Sequence, residues 1–473
     1  MTSAVVVGSG PNGLVGAIRL ARVGVAVRVL EAAATPGGGT RSSAHVGPGL
    51  IHDDCAAFHP MGLASPALRS LPLAEHGLAW AWPEIDLAHP LDDGSAAVLC
   101  RDFGRTMASL GRDGPGWRRA FGPLAARFDD LVTDILRPVV HVPAHPVLLG
   151  AFGLAALPPA SLTVRQWRAP AARALFGGLA AHSFGSLHAP LSSAVGWVLG
   201  AAGHRHGWPV ARGGSQAIAG SLVSLLTSLG GTVETGRRVT SLAELGSPDI
   251  VLLDVTPQAA VRIAGGCMPG RVRRAFGRYR YGPAAFKVDY AVDGDVPWTN
   301  DSCRRAGTVH LGGTFAEIAA AEASSVRGVM PARPFVLVGQ QYLADPSRSA
   351  GGVNPVWAYA HVPHGYAGDA TAAVTSQIER FAPGFGRQVV GTHVRTVAQS
   401  AAYNPNCVGG DIGTGANSVR QTLARPRIAA NPYATGIPGV YLCSAATPPG
   451  GGVHGMCGAN AADAALREHG IAG

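Results

Sequence analysis

The sequence predicts an α/β protein in which a Rossmann-like dinucleotide-binding domain is interleaved with a second domain of mixed β-sheet and helices. Three observations carry this. Residues 4–8, AVVVG, form a short apolar run that leads into Gly8-Ser9-Gly10-Pro11-Asn12-Gly13 and a helical pattern. Between residues 286 and 399, apolar strand-like runs alternate with helical patterns. Near the carboxy end a further apolar run, 439–443, meets a Gly-Pro loop and the start of a helix.

The first of these defines a nucleotide site. Gly8, Gly10 and Gly13 fit G-x-G-x-x-G, with Pro11 and Asn12 inside the turn, and Leu14, Ala17, Ile18 and Ala21 follow at helical spacing. A second apolar run, 25–30, ends at Glu31, 18 residues after Gly13. Glycines permit the tight turn and the approach of a pyrophosphate, the helix amino-terminus offers free N–H groups, and the acid accepts hydrogen bonds from a ribose. G-x-G-x-x-G alone is a weak signal; strand, helix and acid in register make it a strong one.

Later elements follow in order. Residues 209–239 read as a loop, a helix (GGSQAIAGSLVSLLTSLGG) and two strands (TVETGRRV), and 249–256, DIVLLDVT, as a return strand closed by Pro257. Strands are expected at 286–292, 308–312, 334–342, 356–362 and 389–399, with helices at 315–326 and 370–381 between them. This divides the chain into a discontinuous nucleotide domain (1–75, 205–270, 430–473) and a substrate domain (76–204, 271–429).

The segment after Glu31, AAATPGGGTR, resembles the E-x-x-x-x-x-G-G motif of FAD proteins of the glutathione-reductase-like superfamily. With His59-Pro60, HGLAW at 76–80, HPLDDG at 89–94 and GVYLCSAATPPGGGVHG at 439–455, it is similar to the phytoene-desaturase-like and flavin amine oxidase branches. That resemblance implies FAD as cofactor, with Gly38 and Gly39 at the diphosphate. Arg41 takes the arginine's part, although G-G-G-T-R sets it two places later than the usual G-G-R. It implies Val239 on the adenine, and Val453, Gly455 and Met456 at a helix start facing the flavin. Ser444 stands where relatives carry an acid on the ribityl chain. No second nucleotide fingerprint and no C-x-x-C pair is present, so a separate nicotinamide domain and disulfide-reductase chemistry are not expected.

Composition bounds the rest. A chain of 473 residues fits about two to four domains. Charged residues make up only 14%, which favours a large core or an apolar binding surface. The net charge of +9 is dispersed without aromatic interleaving, so nucleic acid is not an expected partner. Seven unclustered cysteines give no metal spacing and fit a reducing, cytoplasmic setting; no metal is expected, and no signal peptide. Two stretches, 138–164 and 174–203, carry no Asp, Glu, Lys or Arg. Prolines interrupt the first; His and Ser residues and Pro190 interrupt the second. Both therefore read as short helices around an apolar cavity, or alternatively as a patch contacting a membrane surface, rather than as spans.

The chain has a single lysine, Lys287, inside the apolar run AAFKVDYAV, so 37 of its 38 basic residues are arginine. In flavin amine oxidases a lysine on the corresponding strand holds a water at flavin N5, with an aromatic about ten residues on; here that is Trp298. The alternative is an ion pair with Asp289. Eight histidines (59, 182, 188, 204, 206, 361, 364 and 454) are candidate bases, with His454 at the flavin helix best placed, and Asp411 either orients substrate or caps a turn. Together these readings lead to an FAD-dependent oxidoreductase that removes a hydride from a C–H bond of a lipophilic small molecule, with O₂ or a quinone as final acceptor. An amine or amino-acid oxidase, favoured by an aromatic cage, is the enzyme alternative. A lipid-binding chaperone on the same fold, as in the Rab GDP-dissociation inhibitors, is the non-enzyme one.

Overall fold

The computed structural model describes residues 2–472. Two sheets organise them. The first is a five-stranded parallel sheet in the order Val440–Leu442, Ile250–Leu253, Ser3–Val7, Ala26–Leu30, Thr232–Glu234. The apolar run Ser3–Val7 is central because it is buried on both faces, as parallel strands under helices are. Helices Pro11–Ala21 and Met456–Glu468 cover one face so closely that a Cβ on Gly458 would stand 1.8 Å from the Asn12 carbonyl. Glycine is required there by contact, not by backbone angle.

The second sheet has seven strands, ordered Val389–Arg395, Ala284–Asp293, Val353–Val362, Val336–Gly339, Ala306–Leu311, Ile85–Pro90, Ala96–Leu99. Only the pairing of Ala306–Leu311 with Ile85–Pro90 is parallel. All five strands of the parallel sheet lie in residues 1–75, 205–270 and 430–473, and all seven of the mixed sheet in the remainder. The helix Phe315–Val326 starts at a capping box, Thr314 with Glu317, which fixes its first turn.

Two local expectations need correction. The run 389–399 is not one strand. It stops at Arg395, where Thr396 and Gln399 form a second capping box and start the helix Val397–Tyr403. Only Thr232–Glu234 forms of the two strands read in 232–239. Gly236, at φ +69°, turns the chain, and Val239 follows in irregular backbone.

The charge-free stretches part company. Residues 174–203 supply two packed helices, Pro170–Ala181 and Ser193–His206, whose Phe176 and Trp197 join Trp117, Phe121 and Trp167 in a buried aromatic cluster. Residues 138–164 form a loop and the helices Pro146–Ala156 and Ala160–Thr163, and leave large apolar side chains in solvent. Among the described residues no single helix is long and apolar enough to cross a membrane.

Candidate functional site

One cavity of roughly 1190 Å³ runs between the two sheets, from the glycine turn to an apolar lobe beneath the helices of 170–206. A site for a drug-sized ligand occupies about 300–1,000 Å³, so this cavity exceeds what one such ligand needs.

The nucleotide end is made largely of backbone. Gly8, at φ +102°, leaves the first strand, and Gly10 is the N-cap of the helix Pro11–Ala21. Pro11 occupies the first turn, where its missing N–H costs nothing. A second glycine turn meets the first: a Cβ on Gly38 would lie 3.1 Å from Gly10 Cα. Gly8, Gly10, Pro11, Asn12, Gly38 and Gly39 all line the cavity. Gly13 lies behind them and meets the Gly8 carbonyl, where a Cβ would stand 2.3 Å away. Glu31 closes this end. Its Oε2 accepts from the Ser9 N–H (2.9 Å) and hydroxyl (2.6 Å), and its Oε1 from the Ala33 N–H (2.7 Å). Val239 lines the same end.

Arg41 also reaches the cavity despite its late position. Its guanidinium lies 5.0 Å from the centre of the Tyr403 ring, with Arg395 on the same ring at 4.2 Å. The Tyr403 hydroxyl donates to Asp54, which also accepts from Arg395. The buried Arg41 Nε has no protein partner, and neither does the Asn12 Oδ1. Two glycine turns without Cβ atoms, an acid at a strand end, and an arginine that pairs with that acid at 3.5 Å yet keeps an unused Nε donor fit a dinucleotide such as FAD.

Asp254 was not anticipated. It ends the strand Ile250–Leu253, lines the cavity, and its Oδ2 accepts the Gly13 N–H at 3.0 Å. It thus caps a helix whose own N-cap glycine has no side chain. Burial pushes its carboxyl up to about 7, against the opposing Gly13 hydrogen bond and with help from Glu31. The signal was the acid in LLDVTP at a strand end facing the glycine turn.

The apolar lobe is lined by Phe58, Phe184, Trp208, Leu337, Trp357 and Tyr359, among others. Trp357 and Tyr359 meet edge-on at 4.9 Å. Phe184 and Leu191, also on the wall, hold positive φ (+49° and +66°) without being glycine, a conformation that non-glycine residues adopt only where their surroundings enforce it. His182 reaches the lobe, with its Nε2 3.1 Å from that of His310, and burial drives it down to about 3.

Several expected residues stand elsewhere. Lys287 does not line the main cavity. Strand register turns it to the same face as Asp289, two residues on, and the two form a buried ion pair. It borders a small void of about 30 Å³ behind Cys55 and Tyr359. Burial alone would raise the Asp289 carboxyl, but Lys287, His393 and His52 bring it down to about 2. Trp298 lies in the sheet's core, donating to Gln340 Oε1 at 3.0 Å. His454 is no base at the cavity. It is buried, held down at about 4 by desolvation, and its Nδ1 accepts the Met456 N–H at 3.1 Å, capping the last helix. Asp411 does line the cavity, but its carboxylate accepts N–H groups of Gly282, Gly413 and Gly415, so it organises a turn. Burial nonetheless raises its pKa above the ordinary value. Val453 lines the cavity, as do Gly451 and Gly452. Ser444, Gly455 and Met456 do not: Ser444 turns its hydroxyl to the Ala446 N–H, Gly455 packs on Val15, and Met456 begins the helix in the core.

A parallel sheet with a glycine turn and an acid at the end of its next strand, set against a mixed sheet with an apolar lobe between them, defines a Rossmann-like α/β fold with an interleaved second domain. The family described as NAD(P)-binding Rossmann-like domain matches residues 6–71. The chain is 24% identical to the rat pyridine nucleotide-disulfide oxidoreductase domain-containing protein 2, over 98% of this chain and 93% of that one. Its fold matches that of an oxidoreductase from Methanosarcina mazei with a TM-score of 0.63 at 16% identity, covering 98% of this chain and 100% of the other. It likewise matches cyclohexylamine oxidase from Brevibacterium oxydans with a TM-score of 0.60 at 14% identity, covering 99% of each. These likenesses are of fold, and the names of the relatives are those of oxidoreductases.

Proposed function

We propose that the protein is an FAD-dependent oxidoreductase that removes a hydride from a C–H bond of an apolar small molecule. The observation that carries this reading is the single cavity joining a dinucleotide cradle to a lobe walled by aromatic and aliphatic side chains. FAD, when bound, supplies the hydride acceptor. The glycine turns admit the diphosphate, Glu31 exchanges its internal hydrogen bonds for ribose hydroxyls, and Arg41, braced by Tyr403, brings a fixed positive charge alongside. The lobe excludes water from the substrate and holds it by burial, at about 25 cal/mol per Å² of apolar surface.

A second reading, an amine oxidase, is favoured by the Trp357–Tyr359 pair, since aromatic faces attract cations. The carboxylates on the cavity wall speak against it. They are Glu31 and Asp254 at the nucleotide end and Asp411, whose carboxylate is taken up by three N–H groups. A screen of lipophilic alcohols, polyenes and primary amines, followed by bleaching of the flavin without oxygen, separates the two. Bleaching by lipophilic compounds supports the proposal, and bleaching by small polar amines alone overturns it.

A further inference from the structure

Of the fourteen large apolar side chains that are exposed among the described residues, seven fall between Val139 and Leu162. Val140 is 89% exposed, Val142 91%, Val147 84% and Leu154 75%. Such clustering is not the scatter of single apolar residues that any surface carries.

These side chains are held out. Asp134, buried, accepts the Ala144 N–H (2.8 Å) and the His145 N–H (2.9 Å), and His141 leans on the same carboxylate at 3.4 Å. The loop that bears Val140 and Val142 is thereby pinned at its base. The helix Pro146–Ala156 and the following Ala160–Gln166, bent at 90° to it, leave Leu154, Leu157 and Leu162 exposed as well.

From Arg137 to Arg168 the segment itself carries charge of one sign. No Asp or Glu occurs between Asp134 and Glu234, while Arg137, Arg165 and Arg168 are exposed at its edges. Asp134 itself is buried, and the neighbouring acids are engaged: Asp130 by Arg127 (3.0 Å) and His145 (3.7 Å), and Asp463 and Glu468, which share a groove with Arg137 and Val140, by Arg19 (2.7 Å) and the Tyr441 hydroxyl (2.6 Å). A second copy docked through the same segment would bring its own Arg137, Arg165 and Arg168 to these, with no acid between residues 135 and 233 to meet them. An anionic lipid surface answers both features, taking the apolar side chains into its acyl boundary and the guanidiniums at its headgroups.

The patch also adjoins the cavity. The Leu191 N–H donates to the Leu157 carbonyl, the Ser161 N–H to the Leu187 carbonyl, and the Ala160 N–H to Ser192 Oγ. Ala189, Pro190, Leu191 and Ser192 line the cavity wall. We propose that residues 138–164 dock the protein on an anionic phospholipid surface and set this wall of the lobe beside the lipid. The docking does not depend on the flavin reading, and it is measured without turnover.

The test is sedimentation of the full-length protein with vesicles of phosphatidylcholine alone and of phosphatidylcholine containing one-third phosphatidylglycerol. The expected result is binding to the anionic vesicles at least about tenfold tighter than to the neutral ones, weakened by added salt. Val140→Ser, Val142→Ser, Val147→Ser and Leu154→Ser combined should lose it with the melting temperature unchanged, because none of the four is in the core. Arg137→Gln, Arg165→Gln and Arg168→Gln combined should remove the preference for anionic lipid. Absence of wild-type sedimentation with either vesicle, or equal sedimentation of the four-site variant, overturns the proposal. So does a dimer in gel filtration that the four-site variant abolishes while the wild type ignores vesicles.

Discussion

The two ends of the cavity are built on different principles. At the nucleotide end the contacts are made by backbone: two glycine turns so close that a Cβ on Gly38 would lie 3.1 Å from Gly10 Cα, a helix amino-terminus, and one acid at a strand end. At the lobe end they are made by side chains drawn from residues 58, 184, 208, 337, 357 and 359, which only the tertiary fold brings together. Backbone sites tolerate almost no added atom, whereas side-chain sites tolerate substitution and pass its cost into packing. Substitutions at the first should therefore act on cofactor binding, and those at or behind the second on stability.

The largest effect is expected at Gly10. A Cβ there would stand 2.7 Å from Asp254 Oδ2, and a longer side chain would enter the place proposed for the diphosphate. Gly10→Glu should give a folded protein that does not retain FAD, read by absorbance after gel filtration. A yellow variant with wild-type affinity would break the comparison at its nucleotide end.

Behind the lobe, Lys287→Met leaves Asp289 buried without its cation. The expected loss is about 3–5 kcal/mol of stability, the usual range for one partner removed from a buried pair. Asp289 has a folded pKa of about 2 against an ordinary 3.8, so the pair's contribution is present above about pH 4 and fades as pH falls through 2. Denaturant melts at pH 7 and pH 2 should therefore show a gap between wild type and variant that narrows in acid. Unchanged stability with slowed flavin reoxidation would instead return the lysine to the flavin.

Asp254 tests the nucleotide end by pH. Its folded pKa of about 7 lies above the ordinary 3.8, so between these values the folded state binds the extra proton. Stability of the apoprotein should then fall as pH rises from 4 to 7, by at most about 1.4 kcal/mol per pH unit from this group. Asp254→Asn keeps an acceptor for the Gly13 N–H and should flatten that slope, which thermal melts across the range would reveal. The smallest effect belongs to His454→Ala, which removes a helix cap at about 1–2 kcal/mol and should leave flavin reduction rates unchanged. A rate loss without a stability loss would restore His454 as a base.

The same contrast explains what could be read from the sequence. The glycine turns, Glu31 and the capping box at Thr314 are local patterns whose physics is complete within a few residues. Arg41 was harder, because its reach into the cavity depends on Tyr403, far along the chain. Lys287 was placed on the right strand, Ala284–Asp293, but its partner was decided by which strand face the cavity adjoins. The charge-free stretches show the limit most clearly. Composition offers 138–164 and 174–203 the same two readings, cavity wall or membrane-surface patch, yet Phe176 and Trp197 found an aromatic cluster to bury them while Val140 and Val142 did not.

The central claim is that the glycine cradle holds FAD. Its most direct test is the visible spectrum of the purified protein, followed by titration of the apoprotein with FAD, FMN and NAD. The account predicts a yellow protein, or a colourless one that takes up one FAD per chain and neither of the other two. A chain that stays colourless and leaves FAD free in solution would contradict it.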